Sequence, residues 1–168
     1  MSGPLDMALR LASNTARAGW FYGINQVIAN RMVAKRQQTD RRPTRPVPNK
    51  GELFDALRAL MIEDAGDAGA GINPGAEVRI GMLPGHLGRV RGMMRDLPAM
   101  AERQAQGIHD TARAHADLVD IPEYYAQDFH FQTGGHLSDE SARIYDVQVE
   151  TLFYGSADVM RRAAFRPI

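Results

Sequence analysis

Wherever apolar residues recur in this chain they do so at steps of three and four, and no run keeps a strand-like period of two beyond four or five residues. That restricts the fold to packed helices. From Pro4 to about Gln37 the residues Leu5, Leu9, Ala12, Ala16, Trp20, Ile24, Val27 and Ile28 hold helical spacing, and Pro4 suits a first turn. Gly19 and Gly23 interrupt the pattern, each costing a helix about 1 kcal/mol relative to Ala. Their four-residue spacing beside Trp20, Phe21 and Tyr22 predicts a closely packed second backbone, or else a kink.

The basic stretch "TDRRPTRPVPNK" follows, and its three prolines make it an extended linker. Asn49 then has the residue type of an N-cap, with Glu52 three positions on to complete a capping box, so the spacing predicts a helix over about 50–64. Residues 65–92, rich in glycine and holding two prolines, read as a loop with a short extended piece at "AEVRI". A further amphipathic helix is predicted over about 97–119, and Pro122 bars its continuation. Ser138 is a good N-cap for a helix through Ile144, Val147, Val149 and Leu152, with Asp139 and Glu140 at its positive end. Gly155 ends that helix, and a final turn or two reaches Pro167. The expected fold is all-α: a long N-terminal helix, a Pro-rich linker and a small helical bundle with a Gly-rich loop. Its expected organisation is an N-terminal helical arm over 1–38, a basic Pro-rich linker over 39–49 and a helical domain over 50–168.

Composition narrows the function classes. With 20 basic and 20 acidic residues the formal net charge is zero, which argues against nucleic acid as a partner. The charge is uneven: 31–50 carry seven Lys/Arg against Asp40 alone, and 117–158 carry nine Asp/Glu against Arg143 alone. There is no cysteine, which removes disulfides, thiolate nucleophiles and Cys-based zinc sites and suits a reducing cytoplasm. No run approaches the roughly 18 apolar residues of a membrane span, and no secretory pattern opens the chain, so a cytoplasmic protein without a membrane span is expected.

Few motifs carry chemistry. "EDAGDAGAG" at Glu63–Gly71 has the look of a cofactor loop, but such loops need a strand before and a helix after, and here a helix precedes. It reads as a helix-to-loop transition. The five histidines form no HExxH, and His109 and His115 lie on different faces of a helix, so no metal site is expected. Asp128 and His130 flank Phe129, either as an oriented general base or as a solvent-facing pair.

The stretch "YYAQDFHFQTGGHLS", Tyr124–Ser138, concentrates rings and hydrogen-bonding groups. Tyr124, Tyr125, Phe129 and Phe131 offer stacking walls, His130, Gln132 and Thr133 offer donors and acceptors, and Gly134–Gly135 permits close backbone approach. Composition alone leaves two readings open, a pocket wall and a clasp pinning the loop to the helices.

Residues Pro122–Ile168 resemble the region preceding the catalytic domain in a group of class I S-adenosylmethionine-dependent methyltransferases. That group carries a Y-Y-x-Q-x-F-H-x-Q-T-x-G-x-L-S run, matched here by Tyr124, Tyr125, Gln127, Phe129, His130, Gln132, Thr133, Gly135, Leu137 and Ser138. It continues as S-A-x-x-Y-D-x-Q-V-E-x-L-F and A-D-x-M-R-R. Those positions are matched by Ser141, Ala142, Tyr145, Asp146, Gln148, Val149, Glu150, Leu152, Phe153, Ala157, Asp158, Met160, Arg161 and Arg162. The "GWFYGIN" helix and the "LRALMIEDAGDAGAGI" region resemble the same proteins more loosely.

The resemblance implies a helical cap over a methyltransferase pocket, in which Tyr124, Tyr125, Phe129, Gln132, Thr133, Gly134 and Gly135 line the substrate or cofactor side and His130 accepts the acceptor's proton. It implies S-adenosylmethionine as cofactor of the complete enzyme, with a catalytic domain and a small-molecule acceptor as partners. In that group the cofactor loop follows the A-D-x-M-R-R helix, and the sequence in hand reaches Ile168 before any such strand. The expectation is therefore a piece that binds no cofactor and is not catalytic alone, with a non-enzymatic helical interaction module as the alternative.

Overall fold

The computed structural model describes residues 3–32, 44–74, 83–108, 122 and 138–166. Its described residues form five helices and no strand: α1 (Pro4–Met32), α2 (Lys50–Ala70), α3 (Leu83–Gln106), α4 (Asp139–Leu152) and α5 (Ala157–Ala163). The all-α expectation and the long first helix hold. No helix among the described residues is long and apolar enough to cross a membrane. The chain divides into two compact units, one of Met1–Asn25, Thr39–Arg79 and Glu150–Ile168, the other of Gln26–Gln38 and Ile80–Val149.

The first unit is built from the N-terminal part of α1, from α2, and from α5 with the end of α4. α2 begins as its sequence predicts: the Asn49 side chain accepts from the Glu52 amide at 3.0 Å, and the Glu52 carboxylate accepts from the Asn49 amide at 2.8 Å. It ends later than the glycines suggest, at Ala70, where Gly71 adopts φ 78° and the Gly71 and Ile72 amides turn back onto Ala68 and Asp67. Residues 65–70 are helix rather than loop, because Ala65 and Ala68 continue the buried stripe begun by Met61. The α4–α5 turn is left-handed at Tyr154 (φ 52°) and Gly155 (φ 79°). A Cβ at Gly155 would stand 2.8 Å from the Arg17 carbonyl oxygen, so that turn is pressed against the backbone of α1.

The interior of this unit is only partly apolar. Phe21, Ile24, Met61, Ala65, Ala68, Ala157 and Val159 are buried, and so are Arg10, Asn14, Asp64, Asp67, Asn73 and Glu150. At 100° per residue, Arg10, Asn14, Arg17, Phe21 and Ile24 share one side of α1. The residues whose recurrence predicted the helix fall mostly on the other side: Leu5 is 71% exposed, Leu9 47% and Trp20 44%, whereas Ile24 is buried. α1 runs unbroken through Gly19 and Gly23, and among the described residues nothing lies within 4 Å of where a Cβ would stand at either. The expected close-packed backbone is not found there among the described residues.

In the second unit α3 buries Met93, Leu97 and Ala101 at four-residue spacing, and α4 buries Ile144 and Val147. A Cβ at Gly92 would lie 3.0 Å from Glu140 Oε1 and 3.1 Å from Ile144 Cγ2, so α3 and α4 approach closely at this glycine. That contact explains why 83–92 is helix although its glycines read as loop. α3 then ends earlier than expected, at Gln106, with Gly107 at φ 67°. Ser138 does cap α4, its hydroxyl accepting from the Ser141 amide at 3.1 Å, and Asp139 and Glu140 stand in the first turn.

Candidate functional site

The residues nominated from sequence, Tyr124, Tyr125, Phe129, His130, Gln132, Thr133, Gly134 and Gly135, lie outside the described residues. What the structure does show is a buried charge cluster in the first unit, organised on two carboxylates.

Asp64, on the inward side of α2, is the first. Arg162 of α5 donates to both its oxygens, Nε at 2.7 Å and Nη2 at 2.9 Å, in the bidentate geometry that suits a guanidinium. Asn14 of α1 adds a donor at 2.9 Å and Asn73 another at 3.1 Å, and Arg10 Nε stands 3.9 Å away. Burial alone would push the Asp64 carboxyl up, but the Arg162 and Asn14 hydrogen bonds and the Arg162 and Arg10 charges outweigh it and hold the group below the ordinary range. Arg10 is itself buried and donates from Nη2 to the Pro74 carbonyl.

Glu150, near the end of α4, is the second. Its Oε1 accepts from the Asp158 amide at 3.0 Å and pairs with Arg17 Nη2 at 3.0 Å. It thus caps α5, a task Ser156 does not perform because its hydroxyl donates to the Phe153 carbonyl instead. Burial pushes the Glu150 carboxyl above its ordinary value; Arg17 opposes the shift and Asp158 adds to it. Asp158 also bridges Arg17 at 2.9 Å and Arg161 at 2.5 Å. At the chain's end Arg166 holds Asp67 with two hydrogen bonds, 2.7 and 2.9 Å, and pairs with Glu63.

This arrangement binds helices to one another. Asp64 already accepts from three side chains and stays ionised, so it is neither a free base nor an open metal ligand. Among the described residues no group of three His, Asp or Glu side chains is placed to hold a metal ion. Leu60, Glu63, Asp64, Asp67, Val159, Ala163 and Arg166 line an open cleft of at most about 160 Å³, solvent space included. Sites for drug-sized ligands begin at about 300 Å³. That cleft is too small for S-adenosylmethionine. The Glu63–Gly71 glycines sit in α2 and its cap, with no strand before them among the described residues, and Gly69 lies against Met7 of α1.

Of the aromatic triplet on α1, Phe21 is buried, and Tyr22 joins Phe54 and Tyr154 in a cluster with ring centroids 5.5 to 6.3 Å apart. The rings fill the space between themselves. The ionic cluster itself was not anticipated from sequence. Its one local signal is the polar spacing Arg10, Asn14, Arg17, which marks the side of α1 opposite Leu5, Leu9, Ala12 and Ala16. No family model, no curated protein and no solved structure matches the chain.

Proposed function

We propose that this chain is the N-terminal helical cap of an S-adenosylmethionine-dependent methyltransferase, contributing part of the pocket and not catalytic alone. The observation that supports it is how the residues of the resemblance divide. One set builds the fold: Glu150 caps α5, Asp158 pairs with Arg17, Arg162 grips Asp64, and Ala157 is buried. The other set is large, apolar and outward: Leu152 is 57% exposed, Phe153 42% and Met160 39%. Such residues fit a surface that another domain covers. On this reading the catalytic domain supplies the cofactor site, Tyr124–Gly135 lines the acceptor side and excludes water, and His130 accepts the acceptor's proton.

Calorimetry tests the division of labour. S-adenosylmethionine titrated into the 168-residue chain gives no binding heat. The same chain joined to a Rossmann-like domain encoded after Ile168 gives saturable heat. Tight binding by the chain alone overturns the reading, as does a downstream frame without such a domain. In the joined enzyme His130→Ala and Tyr125→Phe lower turnover more than melting temperature, and the reverse outcome favours a clasp. A second reading, a helical interaction module, is favoured by the exposed apolar side of α1.

A further inference from the structure

Up to Asn25, α1 turns Arg10 and Asn14 inward and leaves Leu5, Leu9 and Trp20 exposed, with Phe21 and Ile24 as its buried apolar residues. Asp6, Arg10 and Arg17, its charged residues up to Asn25, stand toward the side that buries Arg10 and Asn14. The outward side reads Leu5, Leu9, Ala12, Ala16, Gly19 and Gly23, all exposed, at steps of 4, 3, 4, 3 and 4. This spacing keeps six residues in one straight seam about 27 Å long, the geometry of paired helices. Trp20, 44% exposed, flanks it.

The order of sizes identifies the occupant. The six positions are symmetric about position 14, with large residues at one end, alanines in the middle and glycines at the other. Two such helices running antiparallel set Leu5 against Gly23, Leu9 against Gly19 and Ala12 against Ala16 at every level. Each leucine then meets a helix surface where no described residue stands within 4 Å of the missing Cβ. A parallel pair would stack leucine on leucine and leave glycine facing glycine across a gap. We propose that a second copy of this chain covers the seam, the two α1 helices packing antiparallel about a two-fold axis at the level of position 14. The interface is isologous, since the same stripe serves both copies.

Charge and area agree with this occupant. The seam is uncharged, so self-pairing juxtaposes no like charges. A lipid surface is the poorer fit, because a surface-lying helix rims its apolar face with free cations. Here Arg10 donates to Pro74 and Arg17 is paired with Glu150 and Asp158. Two faces of this length bury on the order of 1,000 Å² in total, the lower end for a specific interface. The dimer is therefore weak and reversible, and the proposal stands independently of the methyltransferase reading.

Sedimentation of the full 168-residue chain tests it, with a reversible monomer–dimer equilibrium expected at roughly 10–100 μM. Gly19→Leu with Gly23→Leu fills both holes and weakens association at least tenfold, while the thermal midpoint holds or rises because glycine is a poor helix former. The chain has no cysteine, which makes cross-linking direct. Chains with Leu5→Cys mixed with chains with Gly23→Cys form a covalent dimer under mild oxidation, and neither does so alone, since identical positions are about 27 Å apart. A chain monomeric at several hundred micromolar overturns the proposal, as does cross-linking by Leu5→Cys alone or association unmoved by the leucines. Loss of association in favour of binding to phosphatidylserine vesicles overturns it too, and identifies the seam as a lipid face.

Discussion

Replacing Glu150 separates what its charge does from what its shape does. The side chain is buried, caps α5 through the Asp158 amide at 3.0 Å and faces Arg17 at 3.0 Å. Glu150→Gln keeps the volume and a carbonyl oxygen that still accepts from Asp158. It removes a charge whose burial is unfavourable, and it leaves Arg17 its Asp158 partner at 2.9 Å. These effects oppose one another, and Arg17 is 40% exposed, so water screens the lost pair. The expected cost at neutral pH is about 1 kcal/mol or less. Glu150→Ala removes the cap and leaves a void as well, and about 3 kcal/mol is expected.

The pH dependence gives the sharper test. The folded carboxyl of Glu150 lies above its ordinary 4.5, so between that value and the folded one the native state holds more protons than the unfolded chain. Stability then falls as pH rises through this window. Asp64 acts oppositely: held below 3.8, it contributes stability that is present above 3.8 and lost as pH falls through its folded value. Glu150 thus favours mildly acidic over neutral pH, while Asp64 opposes stability only at stronger acidity. Urea unfolding followed by circular dichroism from pH 4 to 8 reads both effects. Wild type gains on Glu150→Gln as pH falls from 7 toward 5, and a pH-independent gap or a neutral-pH cost above about 3 kcal/mol refutes the reasoning.

Two further perturbations test the same unit. Asp64→Asn leaves Arg10 and Arg162 facing each other without the carboxylate, and breaking a buried pair in this way is expected to cost about 3–5 kcal/mol in urea unfolding; a cost under 1 kcal/mol would show that the cluster does not hold α2 to α5. Gly155→Ala meets both a left-handed backbone and the Arg17 carbonyl at 2.8 Å, so its thermal midpoint drops by roughly 5 °C or more, the equivalent of at least about 1–2 kcal/mol.

Local chemistry was legible in the sequence where a residue type has one structural use. Asn49 with Glu52, Ser138 ahead of Asp139 and Glu140, and Gly155 as a helix stop all serve as their spacing predicts. Glycine misled where its reason is a contact from elsewhere. Gly92 is there for Ile144 and Gly69 for Met7, so helical segments around them read as loop. The charge cluster was hidden for a related reason. Asp64 pairs with Arg162 across 98 residues and Arg17 with Asp158 across 141, and no spacing rule links partners so far apart. The nominated pocket residues Tyr124–Gly135 fall outside the described residues, so their role rests on the resemblance alone.

The apolar recurrence that predicted α1 as a helix correctly also implied an inward face, and there the physics diverges. Periodicity reports that a helix has two sides; it does not report which side the fold buries. In α1 the buried side is the one that carries Arg10, Asn14 and Arg17, because Asp64, Glu150 and Asp158 await them across the unit. Burying Arg10 and Glu150 carries a desolvation cost that their partners only partly return. A chain that spends its interior on ion pairs while exposing Leu5, Leu9 and Trp20 reaches its full apolar burial only when something covers α1. Stability should therefore rise with protein concentration, by RT ln(1 + [L]/Kd) for a partner that binds the folded state alone. A thermal midpoint that climbs between 5 and 500 μM in the wild type, and stays flat in Gly19→Leu/Gly23→Leu, ties the inverted helix to its partner. A wild-type midpoint independent of concentration would mean the seam stays bare at equilibrium.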